Sequence, residues 1–326
     1  MKLTDAKNIM VFVETAEGTP VNCALEVLGK ANELAKAKGE EVIAVLIGKD
    51  LDEAAKTAIS AGADKAVVVE KDECQTETYR GVLVELVKKY SPAVVMAGAT
   101  QLGKDLLPII AKRFETGCAV DVVGIKAEGD KLVMTTPVYG GTVLNDVVIK
   151  ETPVVMSVRS GSFAKNLDAG RTGEVIKEDV TVPALLTKVV DIVKEIGEQV
   201  NLEEAEVIVS GGRGMGTKEN FELVKELAAV CGGVVGATRP AIEDEWVPRS
   251  HQVGQSGKIV SPKLYIACGI SGATQHLSGM IGSEYIVAIN KDEDAAIFDV
   301  ADVGIVGDAV KIVPMLIEEI KKIKAN

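Results

Sequence analysis

The stretch VIVSGGRGMG, residues 207–216, is an apolar run that breaks into four glycines within six residues, with Arg213 among them. A helical pattern follows in TKENFELVKELA, residues 217–228, and its apolar side chains fall on one face. Parallel sheets with crossover helices are built from such units of strand, loop and helix. The stretch therefore predicts an α/β fold in this part of the chain.

The same alternation of strand and helix fills the N-terminal part of the chain. Apolar runs such as IMVFVE (9–14) and EVIAVLIG (41–48) are each followed by a helical pattern. From residue 117 to residue 159 the segments are strand-like without long helices, and Gly-Asp and Gly-Gly breaks separate them. We expect this part to be an antiparallel extension of the same sheet.

The length of the chain favours two domains, since 326 residues are more than one ordinary core contains. Residues 160–183 are polar and lack apolar periodicity, which indicates the passage between domains. A second alternating series follows, and residues 311–326 form a helical pattern whose apolar stripe is explained by burial. We predict an N-terminal α/β domain with a parallel or mixed sheet at residues 1–190, and a C-terminal domain with an open parallel sheet at residues 200–326.

Charge and hydropathy disfavour two classes of partner. With 48 acidic and 36 basic side chains the net charge is -12, which repels nucleic-acid phosphates and anionic lipid. No segment approaches the roughly 20 apolar residues that cross a bilayer, and the N-terminal stretch turns acidic where a signal peptide would stay apolar. We expect a cytoplasmic protein that neither binds nucleic acid nor inserts into a membrane.

The cysteines and histidines disfavour a metal centre. The five cysteines are widely spaced and never form CxxC, and an odd number does not make a disulfide framework. The chain has two histidines, His251 and His276, and no carboxylate stands at ligand spacing between them. We expect no bound metal.

The glycines after residue 210 fit two explanations. A strand that ends in glycines before a helix places main-chain N–H groups where a phosphate binds readily, and a guanidinium such as that of Arg213 suits phosphate as well. The spacing nevertheless misses GxGxxG, because Thr217 stands at its last position counted from Gly212, and GK[ST] is absent. A tight turn that needs positive φ explains the loop equally well.

Three later stretches add polar groups at equivalent strand ends: GATRPA, HQVGQSGKIV and CGISGATQHLSGM. Ligands of open parallel sheets bind beyond the carboxyl ends of the strands, so these groups should converge on one crevice. Each also has an ordinary structural explanation. Arg239 can pair with the acidic residues of RPAIED, Ser256 can cap a turn, and Gln275 and His276 can be solvated residues of a first helical turn.

Taken in order, SGGRGMG, GATRPA, VGQSGKIVSPKLYIACGISGATQHLSGM and IVAINKDEDAAIFDVADVGIVGD resemble the alpha subunit of electron transfer flavoproteins. The resemblance is close over about the last 130 residues, and GATQLGKDLLPIIAKRFETGCAVDV in the N-terminal part is similar more loosely. It implies a flavodoxin-like, doubly wound C-terminal domain that holds FAD. It also implies an obligate beta subunit, so that the working unit is a heterodimer.

The resemblance further implies which residues contact FAD. The set contains Arg213 near the phosphates; Thr238 and Arg239 beside the isoalloxazine; Val253, Gly254, Gln255 and Ser256, where the hydroxyl bonds flavin N5; Ser271, Gly272, Ala273, Thr274, Gln275 and His276 in the turn at the pyrophosphate, with the histidine near the flavin C2 carbonyl; and Asn290 and Asp308 at the adenosine end. His251 and the EDEWVPRS loop receive no role. His251 has no partner nearby in sequence and is expected at the surface, whereas Trp246 is expected in a packed loop or at an interface.

The function implied is that of an electron carrier rather than an enzyme. Such a subunit takes electrons from acyl-CoA dehydrogenases of fatty acid oxidation or from other dehydrogenases, and passes them to a quinone oxidoreductase or another acceptor. Arg239, and His276 by charge or hydrogen bonding, would stabilise the reduced, negatively charged flavin. Whether the beta subunit holds AMP or a second FAD, and so whether NADH is oxidised with electron bifurcation, stays open.

One alternative belongs to another class, an oxidoreductase subunit that uses nicotinamide or thiamine diphosphate in the same crevice. A nicotinamide site calls for GxGxxG and thiamine diphosphate for a GDG-type motif, and the sequence contains neither.

Overall fold

The computed structural model describes residues 3–72, 74–129, 131–182, 185–190 and 201–325. These residues form two compact units. The first contains the described residues up to 138 and 144–190, and the second contains 139–143 and 201–325. The predicted boundary between residues 190 and 200 lies outside the described residues and stays a prediction.

The first unit alternates strands and helices along most of its length. Its helices are α1 (Asn22–Lys38), α2 (Asp52–Ser60), α3 (Thr76–Tyr90) and α4 (Gln101–Arg113). Its strands are β1 (Ile9–Phe12), β2 (Thr15–Ala16), β3 (Thr19–Pro20), β4 (Val42–Gly48), β5 (Lys65–Glu70), β6 (Val94–Gly98), β7 (Cys118–Val122), β8 (Gly124–Glu128), β9 (Lys131–Val138), β10 (Val143–Val147), β11 (Val154–Val158) and β12 (Glu174–Lys177).

Seven of these strands form one parallel sheet in the order β12-β5-β4-β1-β6-β11-β7. Helices α1 and α2 pack on one face of this sheet, and α3 and α4 pack on the other. Because both faces are covered, a central strand such as β4 can be apolar throughout, which confirms the interpretation of its sequence.

The expected antiparallel extension of this sheet is wrong. Strands β7 and β11 join the main sheet in parallel, while β8, β9 and β10 form a separate three-stranded sheet in which β8 and β9 are antiparallel. The burial patterns give the reason. Four successive residues of β11 are buried, as in the middle of a parallel sheet, whereas buried and less buried residues alternate along β9, as in a sheet with one open face.

The polar residues 160–183 also include an element that the sequence did not reveal. Strand β12 pairs in parallel with β5 at the edge of the main sheet. Arg171 anchors the approach to it, since its guanidinium donates to Asp64 at 2.6 Å and to the main-chain oxygen of Gly62 at 3.0 Å. A four-residue edge strand exposed to solvent shows little apolar periodicity, so this stretch looked like a linker.

The second unit contains helices α5 (Lys218–Cys231), α6 (Arg239–Glu243), α7 (Thr274–Leu277) and α8 (Ala309–Ala325). Its strands are β13 (Val207–Gly211), β14 (Val234–Ala237), β15 (Leu264–Cys268), β16 (Ile286–Asn290) and β17 (Val303–Val306). All neighbouring strands are parallel, in the order β14-β13-β15-β16-β17. Numbered within the unit, this order is 2-1-3-4-5, which confirms the flavodoxin-like prediction.

The predicted helical faces of the second unit are confirmed in most positions. In α5 the hydroxyl of Thr217 accepts from the N–H of Asn220 at 3.3 Å and caps the helix, and the apolar face is buried. In α8, Val313 and Ile317 are buried against the sheet, but Ile323 is 72% exposed. Burial therefore explains the start and middle of the α8 stripe and not its end.

Two further observations concern the described residues as a set. None of the helices within them is both long and apolar enough to cross a membrane. No group of three or more histidine, cysteine or acidic side chains within the same residues is placed to hold a metal ion.

Candidate functional site

A cleft of about 670 Å³ lies at the carboxyl ends of β13, β14 and β15 in the second unit. The chain passes from β13 to the edge strand β14 and then returns to β15 on the other side of β13. Such a change of direction is a topological switch point, the place where open parallel sheets bind their ligands. The volume lies within the range of small-molecule and cofactor sites.

The cleft brings together most of the residues predicted for the site: Arg213, Thr238, Arg239, Val253, Gly254, Gln255, Ser256, Ser271, Gly272, Ala273, Gln275 and His276. A smaller cavity of about 160 Å³ contains Asn290 and Asp308, and it shares Gly214, Gly269 and Ser271 with the cleft. The two spaces therefore adjoin at these residues. Thr274 lines neither of them and is exposed.

The glycine loop that follows β13 packs directly on the loop that follows β15. The N–H of Gly214 donates to the main-chain oxygen of Gly269 at 3.0 Å, and a Cβ on Gly214 would lie 2.6 Å from that oxygen. Gly269 has φ +63°, a left-handed conformation that favours glycine. The close contact between the two loops explains these glycines, and it leaves a cleft wall that is formed by bare main chain.

Thr238 and Arg239 stand together at the start of α6. The side-chain oxygen of Thr238 is buried and has no hydrogen-bond partner within the described part of the chain. Arg239 donates from Nε to Oε1 of Glu243 at 2.7 Å, with the two side chains 68% and 58% exposed. The salt bridge considered for Arg239 is therefore present, and such an exposed pair contributes less than about 1 kcal/mol.

Ser256 is held by Gln252, which belongs to the polar stretch expected at the crevice but not to the set of FAD contacts that the resemblance implies. Its hydroxyl oxygen accepts from Nε2 of Gln252 at 2.9 Å, which leaves its own O–H free to donate into the cleft. Gln252 is 5% exposed and also lines the cleft. The sequence pointed to Gln252 as a polar residue of the stretch HQVGQSGKIV, but its burial and its bond to Ser256 cannot be judged from local pattern.

His276 is buried rather than solvated, at 7% exposure. Its Nδ1 lies 3.1 Å from the main-chain oxygen of Val253, and its Nε2 lies 2.9 Å from the hydroxyl of Tyr265. Because a carbonyl oxygen can only accept, Nδ1 carries the hydrogen and Nε2 accepts from Tyr265. Burial lowers the pKa of His276 to about 4. The resting ring is neutral at pH 7, so of the two expected modes of stabilisation, by charge or by hydrogen bonding, it does not offer the charge in this state.

The side chains of the smaller cavity are partly engaged by their own chain. Asn290 donates from Nδ2 to the oxygen of Ile270 at 2.9 Å, and its Oδ1 accepts from the N–H of Asp292 at 3.0 Å. Asp308 accepts from the N–H of Val310 at 3.1 Å at the start of α8. Lys291 and Asp292 also line this cavity, although the sequence interpretation did not include them.

The two residues that received no role prove to be structural. His251 is partly buried and its Nδ1 lies 2.8 Å from the oxygen of Val235, so it stands at the surface only in part and is held by the main chain. The partner is 16 residues away on β14, which the sequence around His251 does not show. Trp246 is 8% exposed and packs on Phe221 at 5.9 Å between ring centres, which confirms a packed loop.

Both units of the chain are similar to known protein families. Residues 9–183 match the model of the electron transfer flavoprotein domain, and residues 201–281 match that of the electron transfer flavoprotein FAD-binding domain. The electron transfer flavoprotein subunit alpha of Thermoanaerobacterium thermosaccharolyticum is 47% identical over 99% of this chain and 100% of its own length. This chain belongs to the electron transfer flavoprotein alpha-subunit family.

Other relatives also cover nearly the whole chain. The alpha subunit of Megasphaera elsdenii is 43% identical, with 99% of each chain covered. A protein of Anaerotignum propionicum named acryloyl-CoA reductase electron transfer subunit beta is 38% identical over 97% of this chain and 96% of its own. Electron transfer flavoprotein alpha subunits bind FAD, pair with a beta subunit and act as electron carriers. The alternative of a nicotinamide- or thiamine-diphosphate-dependent enzyme is dropped.

The residues of the cleft fit FAD. The dinucleotide is anionic and elongated, and the cleft with its adjoining cavity offers an extended space in which Arg213 and Arg239 are the cationic lining residues of the cleft. A wall of bare main chain allows close approach of phosphates. The unpaired, buried hydroxyl of Thr238 costs free energy unless a ligand bonds it.

Proposed function

We propose that FAD lies in the cleft of this electron transfer flavoprotein alpha subunit, and that the protein carries electrons from a dehydrogenase to a quinone oxidoreductase or another acceptor. The observation that carries the proposal is the convergence of the predicted residues on one cleft at the switch point. The unpaired buried hydroxyl of Thr238 in that cleft supports a ligand that makes a specific hydrogen bond there.

The chain's own residues divide the work of binding. Arg213 and the main-chain N–H groups of the glycine loops suit the phosphates, and the smaller cavity with Asn290 and Asp308 suits the adenosine end. When bound, FAD supplies the redox chemistry, while the protein positions it and sets its potential.

Around the redox end of the cleft the side chains supply one charge pair, one hydroxyl donor and one neutral ring. Arg239 offers a cation that Glu243 partly compensates. Ser256, held by Gln252, has its O–H free to donate, and His276 contributes as a neutral ring. A cation near the ring favours reduced, negatively charged FAD, so Arg239 is the residue we assign to raising its potential.

The redox partner we propose is an acyl-CoA dehydrogenase or a related enzyme. The support is the name of the Anaerotignum propionicum relative, which is described as an electron transfer subunit of acryloyl-CoA reductase. Oxidation of NADH with bifurcation of its electrons is the second candidate, and it calls for another flavin held largely by the beta subunit.

The number of flavins per heterodimer tests this proposal. The chain is co-expressed with its beta subunit, purified, denatured, and the released cofactor is identified by chromatography. One FAD per alpha chain supports the electron carrier, two per heterodimer support bifurcation, and the absence of FAD refutes the proposal.

Two matched threonine variants locate the site. Thr238→Val removes the unpaired buried hydroxyl without loss of volume, so the fold should not suffer and FAD affinity should fall about tenfold, or roughly 1.4 kcal/mol. Thr274→Val changes an exposed residue outside the cleft and should retain FAD. Fluorescence titration of the stripped heterodimer with FAD measures both affinities, and equal affinities would place FAD elsewhere.

A further inference from the structure

A buried tyrosine lies directly behind the cleft, and no role has yet been assigned to it. Tyr265 on β15 is fully buried, and its hydroxyl lies 2.9 Å from Nε2 of His276. The two rings are 6.1 Å apart between centres. Most neighbours of Tyr265 in this core are apolar, and the polar groups near its hydroxyl are the His276 ring, which is hydrogen-bonded to it, and the buried hydroxyl of Ser210.

The hydrogen-bond role of His276 is fixed at Nδ1, whereas the bond between Nε2 and Tyr265 can run in either direction. The main-chain oxygen of Val253 can only accept, which keeps the hydrogen of His276 on Nδ1. The Tyr265 hydroxyl can donate to a neutral Nε2, and after rotation about its C–O bond it can instead accept from a protonated Nε2. The tyrosine can therefore serve both protonation states of the ring without a change in the fold.

We propose that Tyr265 is a positioning residue that lets His276 take up one proton at Nε2 when an electron reaches the cleft. The inference rests on the proposed function, which supplies the electron from a donor protein. The proton comes from solvent and forms a new N–H bond at Nε2. The Tyr265 O–H bond stays intact and turns toward the nearby buried hydroxyl of Ser210, so that the tyrosine oxygen accepts from the new N–H.

The groups around His276 favour uptake of a proton only after an electron has reached the cleft. Burial lowers the pKa of His276 to about 4, the bond to the Val253 oxygen raises it by less, and the ring is therefore neutral at pH 7 in the present state. The ring faces the hydroxyl of Tyr265, a residue of β15. Burial raises the pKa of this hydroxyl, so Tyr265 stays protonated. New negative charge beside the ring favours the protonated form of His276.

The remaining groups that face the ring come from the other elements of the cleft. The segment before Ser256 presents the Val253 carbonyl and the neutral side chain of Gln252. The charged residues that line the same cleft are Arg213, Arg239 and Glu243, and the carboxylate of Glu243 partly compensates the charge of Arg239. Among these groups, His276 is the neutral one that gains a positive charge by taking up a proton.

The reduction potential of FAD in the purified heterodimer, measured at pH 6 and pH 9, tests the inference. Tyr265→Phe keeps the volume but removes the acceptor of the protonated ring, and hydrogen bonds of charged donors are the stronger ones. At pH 6 the ratio of reduced to oxidised FAD at a fixed potential should fall about tenfold, which corresponds to about 59 mV for one electron. At pH 9 the ring stays neutral in both proteins, and the potentials should agree.

Two control variants make the result specific. Tyr285→Phe removes the hydroxyl of a tyrosine that is 45% exposed and outside the cleft, and it should keep the wild-type potential at both pH values. In a His276→Gln background the additional change Tyr265→Phe should have no effect on the potential. The visible spectrum of bound FAD confirms that each variant is folded and loaded.

Several outcomes would overturn the role of Tyr265. They are an unchanged potential at pH 6, an equal shift at both pH values, a similar shift in Tyr285→Phe, or a persistent shift in the His276→Gln background. All of these presuppose bound FAD. A heterodimer without FAD would instead refute the proposed function.

Discussion

Acidification from pH 7 to pH 5 should destabilise the FAD-free protein, because His276 is buried as a neutral ring. Unfolding releases the ring into water, where its pKa is the ordinary 6.5, whereas burial holds the pKa near 4 in the folded chain. Between these two values the unfolded chain binds more protons than the folded one. Stability therefore rises with pH in this window and is lost as the pH falls.

The size of the effect follows from the two pKa values. The full difference between 6.5 and about 4 corresponds to about 3 kcal/mol, reached below pH 4. At pH 5 the linkage relation gives a loss of about 2 kcal/mol, and at pH 7 the loss is close to zero. Burial is the first cause of the shift, so no screening by solvent reduces these values much.

Urea unfolding of the FAD-free protein at pH 7 and pH 5 measures this loss. Wild type should lose about 2 kcal/mol more than His276→Gln over this interval, since glutamine does not titrate and can still bond Tyr265. His251→Gln, which changes the other histidine, should lose as much stability between pH 7 and pH 5 as wild type does. If wild type and His276→Gln lose equal stability between the two pH values, the ring is not held neutral by burial and the argument fails.

Two further predictions concern Glu26 and Arg239. Burial raises the pKa of Glu26 to about 7. The contribution of the protonated side chain to the stability of the fold is therefore present at pH 4.5 and is lost as the pH rises through 7. Glu26→Gln can still accept from the N–H of Gly161 and should raise stability in urea by about 1 kcal/mol at pH 8, with no gain at pH 4.5; a less stable variant at pH 8 would contradict this. Arg239→Ala should lower the reduction potential of bound FAD by roughly 40 mV for each kcal/mol of lost attraction, measured by redox titration, and an unchanged potential would remove Arg239 from this role.

The local elements of the second unit were predictable because their signals lie within a few residues. Thr217 caps α5 and Phe221 begins its buried face, and both follow from the spacing of polar and apolar residues. The convergence of Arg213, Ser256 and His276 on one cleft was predictable for a related reason. Parallel strands end at the same edge of their sheet, so residues that follow each strand meet there.

The sheet of the first unit shows where local signals end. Strand β11 was recognised as a strand, but its parallel place between β6 and β7 depends on partners far away in sequence. Edge strand β12 has four residues and no clear period, so pairing with β5 alone makes it a strand. Register and order are decided by contacts between segments, and periodicity within a segment does not report them.

By itself the sequence therefore determined the alternating α/β architecture, the strand ends that form the cleft, and, through its family motifs, the expectation of FAD. The tertiary structure alone decided that Gly214 packs on Gly269, that Gln252 holds Ser256, and that Tyr265 bonds a neutral His276. These properties arise when burial removes water from groups that distant parts of the chain bring together. The protonation state of His276 belongs to this second class, because only its surroundings in the folded protein lower its pKa.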